Sequence, residues 1–365
     1  MRILYVVKNM RLANGVTSYA MNYYRKLIQE KNVKIDFLVV DDIGSPYYDE
    51  IKANGSRVFL MPPYTKNVLK TIGYVNNLFK KRHYDVVHSH VLNSGSVILQ
   101  LAKHYGVPVR IIHAHATQSG DTKLKMIRNK FFIPISLANA NAFFACSKLA
   151  GDYLYGNKPY TVINNAVDLQ RYSYDTEARD RLREEYSAGD KLIVTTVGRF
   201  TKQKNPIFMV DIVNALRKKT SNFEFWWFGN GVMEDETKEY AKNTGADKYI
   251  KFFGANDKVN EFYSAADVFV LPSLFEGLPV VGIEAQVSGI PCLMSDEITR
   301  EVKITDLCEF IPIKSASLWA ANILKLGKAD RNANIRSLKK ENYDIDSQYS
   351  ILKKKYESLC EEKSK

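Results

Sequence analysis

The sequence predicts an α/β protein of two Rossmann-like domains, each a parallel sheet covered by helices, facing one another across a cleft. Short apolar runs alternate with helix-patterned stretches along the chain, the rhythm of strands joined by covering helices. A charged segment at 175–190 interrupts the rhythm, which restarts at 191. The chain has 365 residues, more than one hydrophobic core usually holds. The expected organisation is 1–168, 169–343 and a terminal segment, 344–365.

The elements follow in order. Runs at 3–7, 33–40, 58–61, 85–90, 109–115 and 142–146 are apolar, β-branched and aromatic, and read as strands of the first sheet. Residues 161–167 add a further strand and turn. Helical periodicity at 18–28 and 97–105 fills the intervals, and 175–190 reads as a short helix between the domains. Runs at 191–197, 223–228, 249–253, 268–271, 290–294 and 309–311 build the second sheet. Segment 344–363 reads as one amphipathic helix with Tyr349, Leu352, Tyr356 and Leu359 on one face.

Composition is that of an ordinary soluble protein, and no apolar stretch reaches the length of a membrane span. The chain enters a strand pattern at Arg2 with no signal-peptide cleavage site. Cys146, Cys292, Cys308 and Cys360 lie far apart, so free thiols in a reducing, cytoplasmic compartment are expected. The net charge of +12 belongs to the first half. Residues 1–165 hold 22 Lys and Arg against 9 Asp and Glu, whereas 166–365 hold 30 against 31. Such asymmetry implies an anionic partner for that half. Two basic segments stand out, 66–82 and 123–130, the second running into Phe131-Phe-Ile-Pro-Ile135. They read either as core-facing helices with solvated lysines or as docking surfaces for the inner face of a cell membrane, where each cation contributes about 1 kcal/mol. Nucleic acid is not expected, because the basic residues are not interleaved with stacking aromatics in a recognisable module.

Open parallel sheets bind ligands beyond the carboxyl ends of their strands, so the strand-ending loops are where chemistry is sought. The richest is Leu271-Pro-Ser-Leu-Phe-Glu-Gly-Leu-Pro-Val-Val-Gly-Ile-Glu284. Pro279 stands where a helix would begin, so Gly277 and Leu278 place backbone N–H groups at a helix N-terminus, a ready anion site. Glu276 precedes that helix and Glu284 lies about one and a half turns into it. Carboxylates beside a phosphate site make sense when the ligand brings hydroxyls, as a sugar nucleotide does. The bland reading is a helix cap for Glu276 and a solvated helix residue for Glu284. Gly198-Arg199 ends the first strand of the second domain, with Lys204 five residues on; the two cations could neutralise a diphosphate or simply face solvent. Phe228-Gly-Asn-Gly231 and Phe253-Gly254 end two further strands with glycines that admit close approach of a ligand. Asp41-Asp42 opens a polar loop and reads as surface. His88-Ser-His90 and His113-Ala-His115 each set two imidazoles on one face of a strand end. With no cysteine in that window, packing and hydrogen bonding are favoured there over zinc.

These motifs resemble the signature of retaining GT-B glycosyltransferases of family 4, in particular bacterial capsule and exopolysaccharide enzymes. Phe275-Glu-Gly-Leu-Pro279, the second Glu eight positions later, and Ile283-Glu-Ala285 carry the resemblance, which spans nearly the whole chain. It implies a GT-B fold whose last helix crosses back to the first domain. It implies a hexosyltransferase that uses a nucleoside diphosphate sugar, UDP-sugar favoured, and a polyprenyl-diphosphate-linked or oligosaccharide acceptor. It implies front-face displacement with retention, no cofactor and no metal, and peripheral association with the inner face of the membrane. By the same resemblance Gly15, Gly198, Arg199, Lys204, Gly229, Phe253, Glu276, Gly277, Leu278 and Glu284 bind the donor. Arg199, Lys204 and Glu276 also serve transfer, with His115, or alternatively His113, at the sugar. The family's Gly-Gly after the first strand is Asn14-Gly15 here, and Ala166 replaces a glycine after Asn165, a segment read as structural. Ser147-Lys148 resembles the family's strand-ending serine. A sugar-nucleotide 2-epimerase of the same fold and a non-catalytic lipid- or partner-binding subunit are the rival readings.

Overall fold

The structure, a computed structural model of the chain, describes residues 1–12, 14–63, 68–115, 123–327 and 342–364. It divides into two compact units. The first comprises Met1–Arg11, Val16–Ala166 and Ile345–Lys365, and the second Leu12–Gly15 and Val167–Asp344.

The first unit is built on seven strands: β1 (Arg2–Val7), β2 (Lys34–Val39), β3 (Val58–Leu60), β4 (Val86–Ser89), β5 (Val109–Ala114), β6 (Ala142–Ala145) and β7 (Thr161–Val162). They lie in the order β3-β2-β1-β4-β5-β6-β7, and every pairing is parallel. Helices α1 (Gly15–Leu27), α2 (Tyr47–Ala53), α3 (Val68–Lys81), α4 (Gly95–His104), α5 (Lys123–Asn139) and α6 (Lys148–Tyr155) make the crossovers. The five inner strands are buried nearly end to end because helices cover both faces of a parallel sheet, which is why their sequences are apolar runs, while the edge strands β3 and β7 are partly exposed. β7 is shorter than its sequence pattern suggests. Ile163 still bonds to Ala145, but the chain then turns, and Asn164 and Ala166 carbonyls accept from Tyr23 and Asn22 of α1.

The second unit repeats the architecture with six parallel strands, β8 (Leu192–Val197), β9 (Phe223–Phe228), β10 (Ile250–Gly254), β11 (Val268–Leu271), β12 (Cys292–Ser295) and β13 (Cys308–Ile311). Their order is β10-β9-β8-β11-β12-β13. Helices α7 (Thr176–Glu185), α8 (Pro206–Leu216), α9 (Glu234–Thr244), α10 (Val259–Ala265), α11 (Val280–Val287) and α12 (Ala316–Leu326) accompany them. Asp267 ties the entry of the sheet together. Its carboxylate takes Arg179 and Arg183 of α7 at 2.8 and 2.5 Å and the Ile193 amide at 2.8 Å. Cys146, Cys292 and Cys308 are buried free thiols and Cys360 a half-buried one. No helix among the described residues is long and apolar enough to cross a membrane.

The last helix, α13 (Ile345–Ser364), belongs to the first unit, where Ile345, Leu352, Tyr356 and Leu359 enter the core with β1, β2 and α1. In both sheets the strand order reverses at the centre, between β1 and β4 and between β8 and β11. Loops on either side of such a point diverge and leave a crevice at the strand ends.

Candidate active site

The switch point of the second unit gathers most of the residues expected to bind a donor. β8 ends in Gly198-Arg199, and a single 3-10 turn, Lys202–Lys204, follows before α8. That turn is fastened to the loop after β11. Leu274 N–H donates to Gln203 carbonyl oxygen at 2.8 Å, and Gln203 Nε2 donates to Phe275 O at 3.0 Å and Glu276 Oε2 at 3.1 Å. Lys204 Nζ stands 2.5 Å from Glu276 Oε1, with the two side chains only 12% and 10% exposed. The Lys204 stem lies along Gly198, where an added Cβ would come within 3.2 Å of it. The expected ligands of the diphosphate and of the sugar hydroxyls are thus held as one ion pair. Arg199 is half-buried, and its guanidinium has no hydrogen bond or ion pair among the described residues.

The glycines of the β9 loop are required by backbone contact. Gly229 has φ +132°, and a Cβ there would lie 2.1 Å from the Gly198 carbonyl oxygen; one on Gly231 would lie 2.4 Å from that of Phe200. Only glycine lets the β8 and β9 loops approach this closely. Gly254 also has positive φ, +65°, but open space around it. Phe253 is packed rather than presented. Its ring stacks on Phe228 at 4.7 Å and touches Phe262, Tyr186 and Trp226.

α11 begins at Val280, one residue later than expected, with Pro279 as its N-cap at ψ 104°. The physical reason is that a proline N-cap can keep an extended ψ, and the first i+3 bond, from Gly282 N–H to Pro279 O, closes only after it. Gly277 and Leu278 therefore lie ahead of the helix, buried, and Glu284 sits about one turn inside it. Gln286, unnoticed in the sequence, anchors α11. Its amide donates to Gly282 O and Val302 O, and its oxygen accepts from the Ile304 and Thr305 amides and the Thr305 hydroxyl. Gly282 permits the close packing, since a Cβ there would meet Met294 at 2.7 Å.

Glu284 is 4% exposed, and burial pushes its carboxyl up to about 7 against the opposing pull of Tyr172, Arg171 and Tyr263. Tyr263 O–H donates to its Oε2 at 3.5 Å. The two tyrosines were not legible as site residues, because nothing local sets them beside Glu284. Leu12–Gly15 is grouped with this unit, and a Cβ on Gly15 would lie 3.8 Å from Val280.

In the first unit, β4 and β5 place four imidazoles on one face of the sheet. His88 and His113 are fully buried and stacked with planes 6° apart, and His113 stacks on His115 at 4.2 Å. His88 Nε2 and His113 Nδ1 are 3.0 Å apart, and His88 Nδ1 is 2.6 Å from Tyr356 Oη of α13. His90 Nδ1 and His115 Nε2 are 2.8 Å apart. Tyr19 of α1 lies against His90, His113 and His115. Burial holds all four rings neutral, with His115 lowered to about 3. His115 alone is half-buried, so of the two candidates it is the one a ligand can reach; His113 is sealed in. His88, His90 and His113 could present ring nitrogens within 4.8 Å of one another. Both nitrogens of His88 are already engaged, however, so this is foremost a hydrogen-bonded array.

Ser147 caps α6 by accepting from Ala150 N–H and is buried, which gives it a structural role. Asp42 accepts from Gly44 N–H and Tyr48 O–H at the surface. Of the basic segments, residues 66 and 67 lie outside the described residues.

Comparison with known proteins agrees with this geometry. Residues 178–333 match the family described as Glycosyl transferases group 1, and residues 13–171 that described as Glycosyltransferase Family 4. EpsF of Bacillus subtilis, named as a glycosyltransferase, is 33% identical over 345 residues, covering 90% of this chain and 88% of that protein. The Escherichia coli UDP-Gal:alpha-D-GlcNAc-diphosphoundecaprenol alpha-1,3-galactosyltransferase is 27% identical over 80% of this chain and 78% of its own. In fold, the chain superposes on Anabaena HepE, solved with UDP and glucose, with a TM-score of 0.82, 14% identity, and coverage of 98% and 100%. Twin parallel sheets, a switch-point loop bearing Glu276 that leads into the helix bearing Glu284, and this similarity along most of the chain place the protein in the group 1, family 4 glycosyltransferases of GT-B fold.

Proposed function

We propose that the chain moves a hexosyl unit, with retention, from a nucleoside diphosphate sugar, UDP-sugar favoured, to a lipid-linked or oligosaccharide acceptor in bacterial surface polysaccharide synthesis. One observation carries the donor site. At the crevice between β8 and β11 the Lys204–Glu276 pair joins the turn after β8, which also holds Arg199, a cation with no partner among the described residues, to the loop that leads into α11, which bears the buried Glu284. A diphosphate brings negative charge for Arg199 and Lys204, and ribose and hexose hydroxyls supply donors for Glu276 and Glu284. Gly198 and Gly229 leave room for the phosphates, Gly277, Leu278 and the first turn of α11 supply amides, and Phe253 borders the base. During transfer Arg199 and Lys204 would stabilise the departing nucleoside diphosphate, so that no metal or cofactor is required. The leaving diphosphate oxygen would take the acceptor's proton, with His115 hydrogen-bonding the sugar. The donor and acceptor printed in the Escherichia coli relative's name support the UDP-sugar and diphosphoundecaprenol reading.

Membrane docking has its own support. Ile127, Phe131 and Ile135 form an i, i+4, i+8 stripe on α5, exposed by 59, 70 and 44%, beside the exposed Lys130. Val68 and Leu69 of α3 are 52% and 80% exposed. An apolar stripe on a basic unit fits an anionic leaflet.

The decisive experiment titrates nucleoside diphosphates and nucleotide sugars by calorimetry, with and without EDTA, into wild type, Lys204→Ala and Glu284→Ala. One nucleotide binding saturably, unaffected by EDTA and weakened in both variants, is expected. Binding by none of them would sink the transferase reading.

A further inference from the structure

We propose that His90 is a positioning residue that fixes the proton of His115 on Nδ1, so that His115 presents a neutral hydrogen-bond donor to its ligand. The inference rests on His115 facing the transferred sugar, and it names what kind of ligand atom that ring can meet.

His90 and His115 share one proton along the 2.8 Å line between His90 Nδ1 and His115 Nε2. Two orders are possible. If His115 donates, His90 carries its own proton on Nε2. That atom is fully buried with no hydrogen-bond partner among the described residues, so a bare N–H would be stranded. If His90 donates from Nδ1, only a lone pair is stranded on Nε2. Orphaned buried N–H groups are rarer and costlier than under-used acceptors, so the second order prevails. A neutral imidazole has one donor and one acceptor nitrogen, and His115 therefore accepts at Nε2 and is protonated at Nδ1. Nδ1 has no protein partner among the described residues. Both rings are held in place. His90 lies against Tyr5, Tyr19 and His88, while His115 stacks on His113, which is bonded to His88 and through it to Tyr356.

The consequence is a ligand preference. Nδ1–H takes an acceptor, such as a sugar hydroxyl oxygen or a phosphate oxygen, and repels a hydroxyl that must donate. Because the ring stays neutral, it does this without adding charge.

The test is long-range 1H–15N spectroscopy of the histidine side chains in the full chain at pH 7, with His115→Gln identifying the His115 signals. Wild type is expected to show His115 protonated on Nδ1. His90→Ala, which has no donor, should give a mixture of tautomers and lower kcat about tenfold at nearly constant KM. His90→Asn, whose amide nitrogen can stand in for Nδ1–H, should restore the wild-type signal and recover most of the lost kcat. Protonation of His115 on Nε2 in wild type would overturn the proposal, as would an unchanged tautomer in His90→Ala. A spectrum altered by EDTA would also overturn it, by showing that the His90 lone pair holds a metal. The tautomer is read without substrate, so a failure of the glycosyl-transfer reading would leave this result standing, and the converse.

Discussion

Replacing Glu284 by glutamine should make the second unit more stable, increasingly so as pH rises. The unfolded carboxyl titrates near 4.5, whereas burial holds the folded one at about 7. Between those values the folded chain keeps a proton that the unfolded chain has released, so wild-type stability falls as pH rises through this window and stays low above it. At 1.36 kcal/mol for each pH unit separating the two values, the cost between pH 5 and pH 8 is about 2.5 kcal/mol. Glutamine does not titrate and escapes it. Urea unfolding followed by tryptophan fluorescence is the suitable assay, because Trp226, Trp227 and Trp319 all lie in the second unit and report on it alone. The gap between Glu284→Gln and wild type should widen by about 2.5 kcal/mol from pH 5 to pH 8. A constant gap would refute the assignment of a penalised, buried charge to this carboxyl.

The same carboxyl predicts proton release when a donor binds, because hydroxyls that donate to it favour its charged form. Calorimetry at pH 6.5 in buffers of different ionisation enthalpy should detect a substantial fraction of a proton lost per nucleotide sugar, and none in Glu284→Gln. Lys204→Ala leaves the Glu276 charge at 10% exposure without its counter-ion, held only by Gln203, and should destabilise by on the order of 3 kcal/mol; adding Glu276→Ala should recover much of that, as a double-mutant cycle would reveal. Gly229→Ala must push the β8 and β9 loops apart and should cost several kcal/mol in the fluorescence assay, whereas Gly254→Ala meets only strain of about 1 kcal/mol. Phe131→Ser with Ile135→Ser should lower partition onto vesicles rich in anionic lipid about tenfold without shifting the unfolding midpoint; equal partition would remove α5 from the docking surface.

Sequence reasoning found the loop after β11 and the helix that follows it because the signals there are local. A β-branched strand, a proline-bounded turn and two acids at fixed spacing all fall within 268–284, and parallel-sheet topology places such a loop at a strand end. It missed what tertiary packing alone brings together. Gln203 looks like any polar residue after Arg199, yet it ties the two loops. Tyr172 and Tyr263 reach Glu284 from 112 and 21 residues earlier in the chain. The histidines could be set on one face by period two, but the partner of His88 is Tyr356, 268 residues later. Pro279 was misplaced by one position because helix ends depend on which carbonyl first finds an amide, a matter of ψ rather than of residue type.

The position of α13 dictates an order of assembly. The first unit needs Leu352 and Tyr356 to complete its core and to engage His88, and these residues are synthesised after the whole of the second unit. The second unit, apart from Leu12–Gly15, is an uninterrupted stretch that is available earlier. On the ribosome the usual amino-to-carboxyl sequence of domain folding is therefore reversed here. The first unit can finish only after the second has been made, so a ribosome that stalls before Tyr356 releases a product with a folded second unit and an open histidine array.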